Sequence, residues 1–176
     1  MKILVTCFSQ TGNTEKIAHA ILDELAQSHE TDYTAVDEID AEHLNAYDLV
    51  FLGSPIHAGG LAAPVKELLK ALPDNPGYKL AAFMTHASSA LNKQGYESGV
   101  QQFHDISKEK RIDCLGCYDC QGRLTHELHD MVQKAQNVPD DEWAEKMAEC
   151  DKHPSKEDED KARAFARDMA SLIDSK

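Results

Sequence analysis

Ser9-Gln10-Thr11-Gly12-Asn13-Thr14 is the stretch of the chain in which residue types and spacing most clearly point to chemistry. It follows Lys2 to Phe8, an apolar run rich in β-formers and too short for a helix. It precedes Ile17, Ile21, Leu22 and Leu25, which are spaced for one face of a helix. A turn between a strand and a helix start presents unpaired backbone N–H groups at the positive end of the helix dipole. Ser9, Thr11 and Thr14 add hydroxyls, Asn13 adds an amide, and Gly12 lets the backbone come close. That is more than helix capping needs. The segment reads as an anion cradle built without an arginine, suited to a terminal phosphate monoester. Neither GxxxxGK[ST] nor GxGxxG occurs in the chain, so the common nucleotide loops are excluded.

The second candidate chemistry lies in Cys114, Cys117 and Cys120, within CLGCYDC. Their spacing is that of iron–sulfur ligands, but such a cluster takes four. Cys7 falls on the first strand, where it reads as core packing, and Cys150 lies far along the chain. The expectation is therefore no metal, with a reversibly oxidised thiol pair as the alternative. His126 and His129 would be neighbours on a helix, yet no third ligand is near them in sequence.

The elements that must position these groups alternate. Strands are expected at Lys2–Phe8, Tyr33–Val36, Tyr47–Gly53, Lys79–Met84 and Arg111–Tyr118. Between them lie helical stripes: Ile17 to Leu25, Val65 to Leu72, and a helix from about Gly95 to Ser107. A last helix starts after Ser155, with acidic residues in its first turn and Ala162, Phe165, Ala166, Met169 and Ile173 on its buried face. Such alternation forces a parallel sheet covered on both sides, with ligands beyond the strand C-termini. The sequence thus reads as one domain over residues 1–176, interrupted by a polar, irregular, partly helical stretch at about 123–153.

The chain carries 31 acidic and 18 basic residues, a net charge of −13. That disfavours nucleic acid and anionic membranes and favours partners with basic faces. The first apolar run is too short for a secretion signal and no stretch is long enough to span a membrane. The five cysteines are an odd number. A cytoplasmic protein with reduced thiols is expected.

The segment KILVTCFSQTGNT resembles the start of flavodoxins, whose phosphate loop reads T/S-x-T-G-x-T; Ser9, Thr11, Gly12 and Thr14 match it. GSPIHAG after the third strand looks like the family's first flavin-flanking loop, and THASS after the fourth falls where the second should be. DCQG after the fifth strand and HPSKEDEDKARAFA near the end are similar to a common variant of the domain. The resemblance implies a flavodoxin-like three-layer α/β/α sandwich with five parallel strands in the order 2-1-3-4-5. It implies FMN as cofactor. The phosphate would sit on Ser9 to Thr14 and the ring between Pro55, Ile56, His57, Ala58 and Gly59 on one side and Thr85, His86, Ala87 and Ser88 on the other. Cys120 and Gly122 would lie nearby. Flavodoxins often stack the ring between a tryptophan and a tyrosine; here His57 and His86 stand in those loops and the only tryptophan is Trp143. The implied function is electron transfer between protein partners. The alternatives are an FMN-dependent NAD(P)H:quinone reductase, an iron–sulfur flavoprotein and a flavin-free binding module.

Overall fold

In the central strands, alternate side chains enter different cores. The computed structural model describes residues 1–87 and 96–174. Its strands are β1 (Lys2–Cys7), β2 (Glu30–Ala35), β3 (Leu49–His57), β4 (Gly60–Leu61), β5 (Lys79–His86) and β6 (Cys114–Gln121). Five of them run parallel in the order β2-β1-β3-β5-β6, while the short β4 pairs antiparallel with β3. Taken in chain order, the parallel strands follow the expected 2-1-3-4-5 path.

The helices are α1 (Asn13–Leu25), α2 (Ala63–Ala71), α3 (Glu97–Glu109), α4 (His126–Gln136), α5 (Asp140–Cys150) and α6 (Lys156–Asp174). On one face of the sheet, Ile3, Val5, Phe51 and Phe83 pack against Ile17 and Ile21 of α1 and the alanines 162, 166 and 170 of α6. On the other, Leu4, Val50, Leu52 and Ala82 pack against Val65 and Leu69 of α2 and Phe103 of α3. Small residues every fourth position let α6 lie close to α1 and the sheet. No described helix is long and apolar enough to cross a membrane.

Three strands, β3, β5 and β6, run beyond their expected C-terminal ends, β3 the furthest. β3 continues through Pro55, Ile56 and His57, pairing Ser54 with Met84 and Pro55 with Thr85. It has by then outrun β1, whose last partner is Gly53, so the missing N–H of Pro55 breaks no ladder. β3 then turns back through Ala58 (φ 49°) and Gly59 (φ 81°), pairing His57 with Gly60. Two central residues at positive φ are the type I′ hairpin pattern. The GSPIHAG segment expected as a loop is therefore the end of β3 and a hairpin tip, with Gly60 buried in the β4 pairing.

The 123–153 stretch is also more ordered than its polarity suggests: it forms α4 and α5. Trp143, Met147 and Cys150 share one face of α5 and build a small core with Leu124, Val132 and Val138. Pro139 precedes α5, and Asp140, Asp141 and Glu142 occupy its first turn, a standard helix start.

The start of α6 is a capping box. Ser155 Oγ accepts from the Asp158 N–H at 3.3 Å, and Asp158 Oδ2 accepts from the Ser155 N–H at 2.7 Å. The Ser155 hydroxyl and His153 Nδ1 also reach Asp158 Oδ2, at 2.8 and 2.7 Å. Burial pushes the Asp158 pKa up, but these bonds together hold it below its usual value. A depressed carboxylate stabilises the fold above its unfolded pKa, about 3.9, and the contribution is lost as pH falls through the folded value. Asp158→Ala is thus expected to cost about 1 kcal/mol at pH 7, a Tm drop of ~2–4 °C. In thermal scans from pH 7 downward, that gap should stay constant to about pH 4 and then close.

Candidate functional site

The β1–α1 loop lies at the C-terminal end of the sheet, beside the tips of β3, β5 and β6. Gly12 is left-handed at φ 80° and caps α1, whose ladder opens with Lys16 N–H donating to the Gly12 carbonyl at 2.9 Å. Ser9 Oγ accepts from the Glu15 N–H at 3.3 Å. The first amides of α1, at Asn13 and Thr14, therefore stand at its positive end without helical partners. Thr14 is buried and bonds Thr85 Oγ1 at 2.9 Å, which fixes α1 against β5.

Along this end runs a cavity of about 640 Å³, within the usual size range of ligand pockets. Its floor is Gln10, Thr11 and Asn13. The β3–β4 hairpin contributes Pro55 to Gly59, β5 contributes Thr85 and His86, and Ala87 follows it. Gly122 lines it after β6. The remaining wall comes from the 123–153 stretch, through Arg123, Leu124, Thr125, Leu128, Met131 and Val132. Leu128 and Met131 are 39% and 60% exposed, two of the three large hydrophobic side chains exposed among the described residues.

The fold thus gathers most of the predicted site residues around one space. Thr85 and His86 do so from the end of β5, not from a loop beyond it. Ser9, Gly12 and Thr14 shape the floor without lining the cavity. Cys120 points into the core shared with α1 and α6. Ser88 lies outside the described residues, as does the start of the helix expected from Gly95. Asn13 is engaged within the protein: its Nδ2 donates to the Arg123 carbonyl at 3.1 Å. Arg123, which the loop motif does not include, reaches the loop: its Nη2 donates to the Thr11 carbonyl at 3.3 Å. No local pattern at position 123 announces this; the fold brings together residues 112 positions apart.

The ring-sized part of the cavity has histidines in place of larger aromatics. His86 Nε2 lies 3.1 Å from Asp119 Oδ2, and its ring stacks on Tyr96 with centroids 4.5 Å apart. His57 meets Phe8 edge-on at 6.4 Å. Partial burial, and secondarily the Lys66 ammonium, lower the His57 pKa, so it is neutral at pH 7. Trp143 is buried in the α5 core beside His129, and the Tyr118 hydroxyl donates to the Asp158 carbonyl, so neither faces the cavity. The residues present fit FMN: oriented amides and a guanidinium at one end, apolar walls at the other, and no carboxylate in the described lining.

The cysteines are divided by the sheet. A register shift pairs Leu80 with Cys114 but Ala81 with Gly116, adding one residue to β6. Simple alternation would set Cys114 and Cys117 on opposite faces. The bulge brings both against the α2/α3 core, with Cys120 on the other side. The three thiols therefore cannot converge on one cluster. Among the described residues no group of three or more His, Cys, Asp or Glu is placed to hold a metal. Burial raises the Cys7 thiol pKa to about 11 and those of Cys117 and Cys120 to about 12. Burial raises Cys114 and Cys150 too. Thiolate, the reactive form, is scarce at neutral pH. Iodoacetamide at pH 7 should label native protein slowly, and all five cysteines only after unfolding.

Comparison with known proteins agrees with this geometry. A family model described as a flavodoxin domain matches residues 4–167. The chain is 31% identical to the flavodoxin-like domain-containing protein BilS of Clostridioides difficile (strain CD3), covering 98% of this chain and 100% of that protein. Flavodoxin 2 from Bacillus cereus superposes with a TM-score of 0.70 at 23% identity, over 98% of this chain and 99% of that one. A Fusobacterium nucleatum flavodoxin solved with flavin mononucleotide superposes with a TM-score of 0.56 at 15% identity, over 85% and 98% of the two chains. These structural likenesses carry the fold; the family match and the relative carry membership. The chain belongs to the flavodoxin-domain family.

Proposed function

We propose that this chain is an FMN-dependent redox protein that carries electrons between partner proteins. The observation that carries the reading is the single cavity in which a phosphate-type loop, a glycine hairpin and apolar walls meet at the C-terminal end of a parallel sheet. The cofactor is FMN, as in the Fusobacterium nucleatum flavodoxin whose fold the chain shares. FMN supplies the electron-accepting chemistry, and the protein's part is to bind, orient and tune it. Gln10, Thr11 and the first amides of α1 would take the phosphate. The hairpin from Pro55 to Gly59, with His86 opposite, would hold the ring, and Leu128 and Met131 would keep water from its exposed side. His86 is oriented by Asp119 and Tyr96.

The chain's net charge of −13 disfavours added negative charge, which favours a low reduction potential. The same charge would steer redox partners with basic docking faces toward the cavity mouth, and it argues against nucleic acid as a partner. Free cysteines suit a reducing compartment, so we assign the protein to the cytoplasm.

The test uses FMN-loaded protein reduced anaerobically and mixed with a basic one-electron acceptor such as cytochrome c. Rapid transfer that slows as salt rises is the expected result. Slow, salt-independent transfer, together with steady NAD(P)H-driven turnover of a quinone, would instead identify an FMN-dependent quinone reductase.

A further inference from the structure

We propose that Arg123 is a phosphate ligand of the FMN site, delivered to the β1–α1 loop by the start of the 123–153 stretch. The inference rests on the FMN reading above and adds a residue that the loop motif does not contain.

A phosphate monoester carries a charge of about −1.5 to −2 at pH 7. Oriented amides alone must hold it against a protein of net charge −13. Among the described residues that line the cavity, Arg123 is the only lysine or arginine. Lys16, one turn into α1, is engaged elsewhere: its Nζ donates to the Pro154 carbonyl at 2.6 Å and pairs with Glu159 at 3.2 Å. His57 is neutral at pH 7 for the reasons given above.

The backbone holds Arg123 in place at several points. Gly122 N–H donates to the His86 carbonyl at 2.8 Å, so the chain leaves β6 still tied to β5. Asn13 Nδ2, from the first residue of α1, donates to the Arg123 carbonyl at 3.1 Å. A Cβ on Gly122 would lie 3.1 Å from that same Asn13 Nδ2, so the close approach depends on glycine. The guanidinium then bridges to the Thr11 carbonyl at 3.3 Å. A guanidinium has five N–H donors in a planar fork. One donates to the Thr11 carbonyl, in the loop that would hold the phosphate. The planar fork suits bidentate recognition of phosphate oxygens.

The experiment compares FMN with riboflavin, which lacks the phosphate, by quenching of flavin fluorescence in wild type, Arg123→Gln and Arg123→Lys. Arg123→Gln is expected to raise the FMN Kd by ~10-fold or more and leave the riboflavin Kd unchanged. Arg123→Lys, which keeps the charge but not the fork, should lose less. Raising salt should weaken FMN binding to wild type more than to Arg123→Gln. Equal weakening of both flavins would mean that Arg123 only braces the Thr11 loop, and no change in either would mean it has no role; both overturn the proposal. Wild type that quenches neither flavin would instead overturn the FMN reading itself.

Discussion

Gly12→Val is expected to raise the FMN Kd by ~100-fold or more while leaving the fold intact. Gly12 sits at φ 80°, ψ −6°, and no heavy atom lies within 4 Å of where its Cβ would be. No protein atom crowds that space, so within the protein the effect is conformational. A β-branched residue in the left-handed region is a true outlier, costing roughly 1–2 kcal/mol, so the loop should relax to negative φ. That relaxation turns the following amides away from the phosphate. Hydrogen bonds to a charged group contribute about 1.5–3 kcal/mol each, so losing two accounts for the ~100-fold change. Gly12→Asn is the control, since asparagine tolerates the left-handed region, and it should retain most of the affinity. Circular dichroism confirms the fold in both, and flavin fluorescence gives the Kd. Equal affinities for the valine and asparagine variants would show that the Gly12 conformation does not shape the site.

Gly53→Ala is expected to be the most damaging small substitution for stability. A Cβ there would stand 2.3 Å from the Phe83 ring and 2.7 Å from Cys7 Cβ. Gly53 lies on central β3, between β1 and β5, paired with both Cys7 and Phe83. Phe83 is fully buried and Cys7 is 3% exposed, so neither has room to withdraw. Overpacking of this kind costs about 3 kcal/mol, a Tm loss of roughly 6–12 °C in a chain of this size. Phe83→Leu combined with Gly53→Ala should recover part of that loss, because the ring is what the methyl meets. A Gly53→Ala protein that melts with wild type in differential scanning calorimetry would contradict the packing described here.

The sheet was legible in the sequence because its strands are buried on both faces. KILVTC, LVFLG and KLAAFM are apolar runs bounded by polar or glycine residues, and no helix of that length competes with them. The turn that opens α1 was legible for a different reason: its signal is local, carried by six adjacent residues. What could not be read depends on contacts between distant segments. Arg123 reaches Thr11 only because the loop after β1 and the end of β6 lie at the same end of the sheet, and sequence order gives no hint of that proximity. The bulge at Leu115 reverses the faces of the CLGCYDC cysteines, and alternation alone misplaces them. The helices of the 123–153 stretch are a partial exception. Trp143, Met147 and Cys150 have helical spacing, but the high polarity around them hides a core of so few residues. The extension of β3 into a hairpin was hidden by Pro55, which normally argues against a strand and is tolerated here beyond the end of β1.

The account stands on FMN occupying the cavity with its phosphate on the Ser9–Thr14 loop. Its most direct test follows the visible absorption of FMN as protein is added, with riboflavin titrated in parallel. The account predicts saturable, one-to-one shifts of the flavin bands with FMN, and riboflavin binding weaker by ~10-fold or more. Unchanged FMN bands, or riboflavin binding as tightly as FMN, would contradict it.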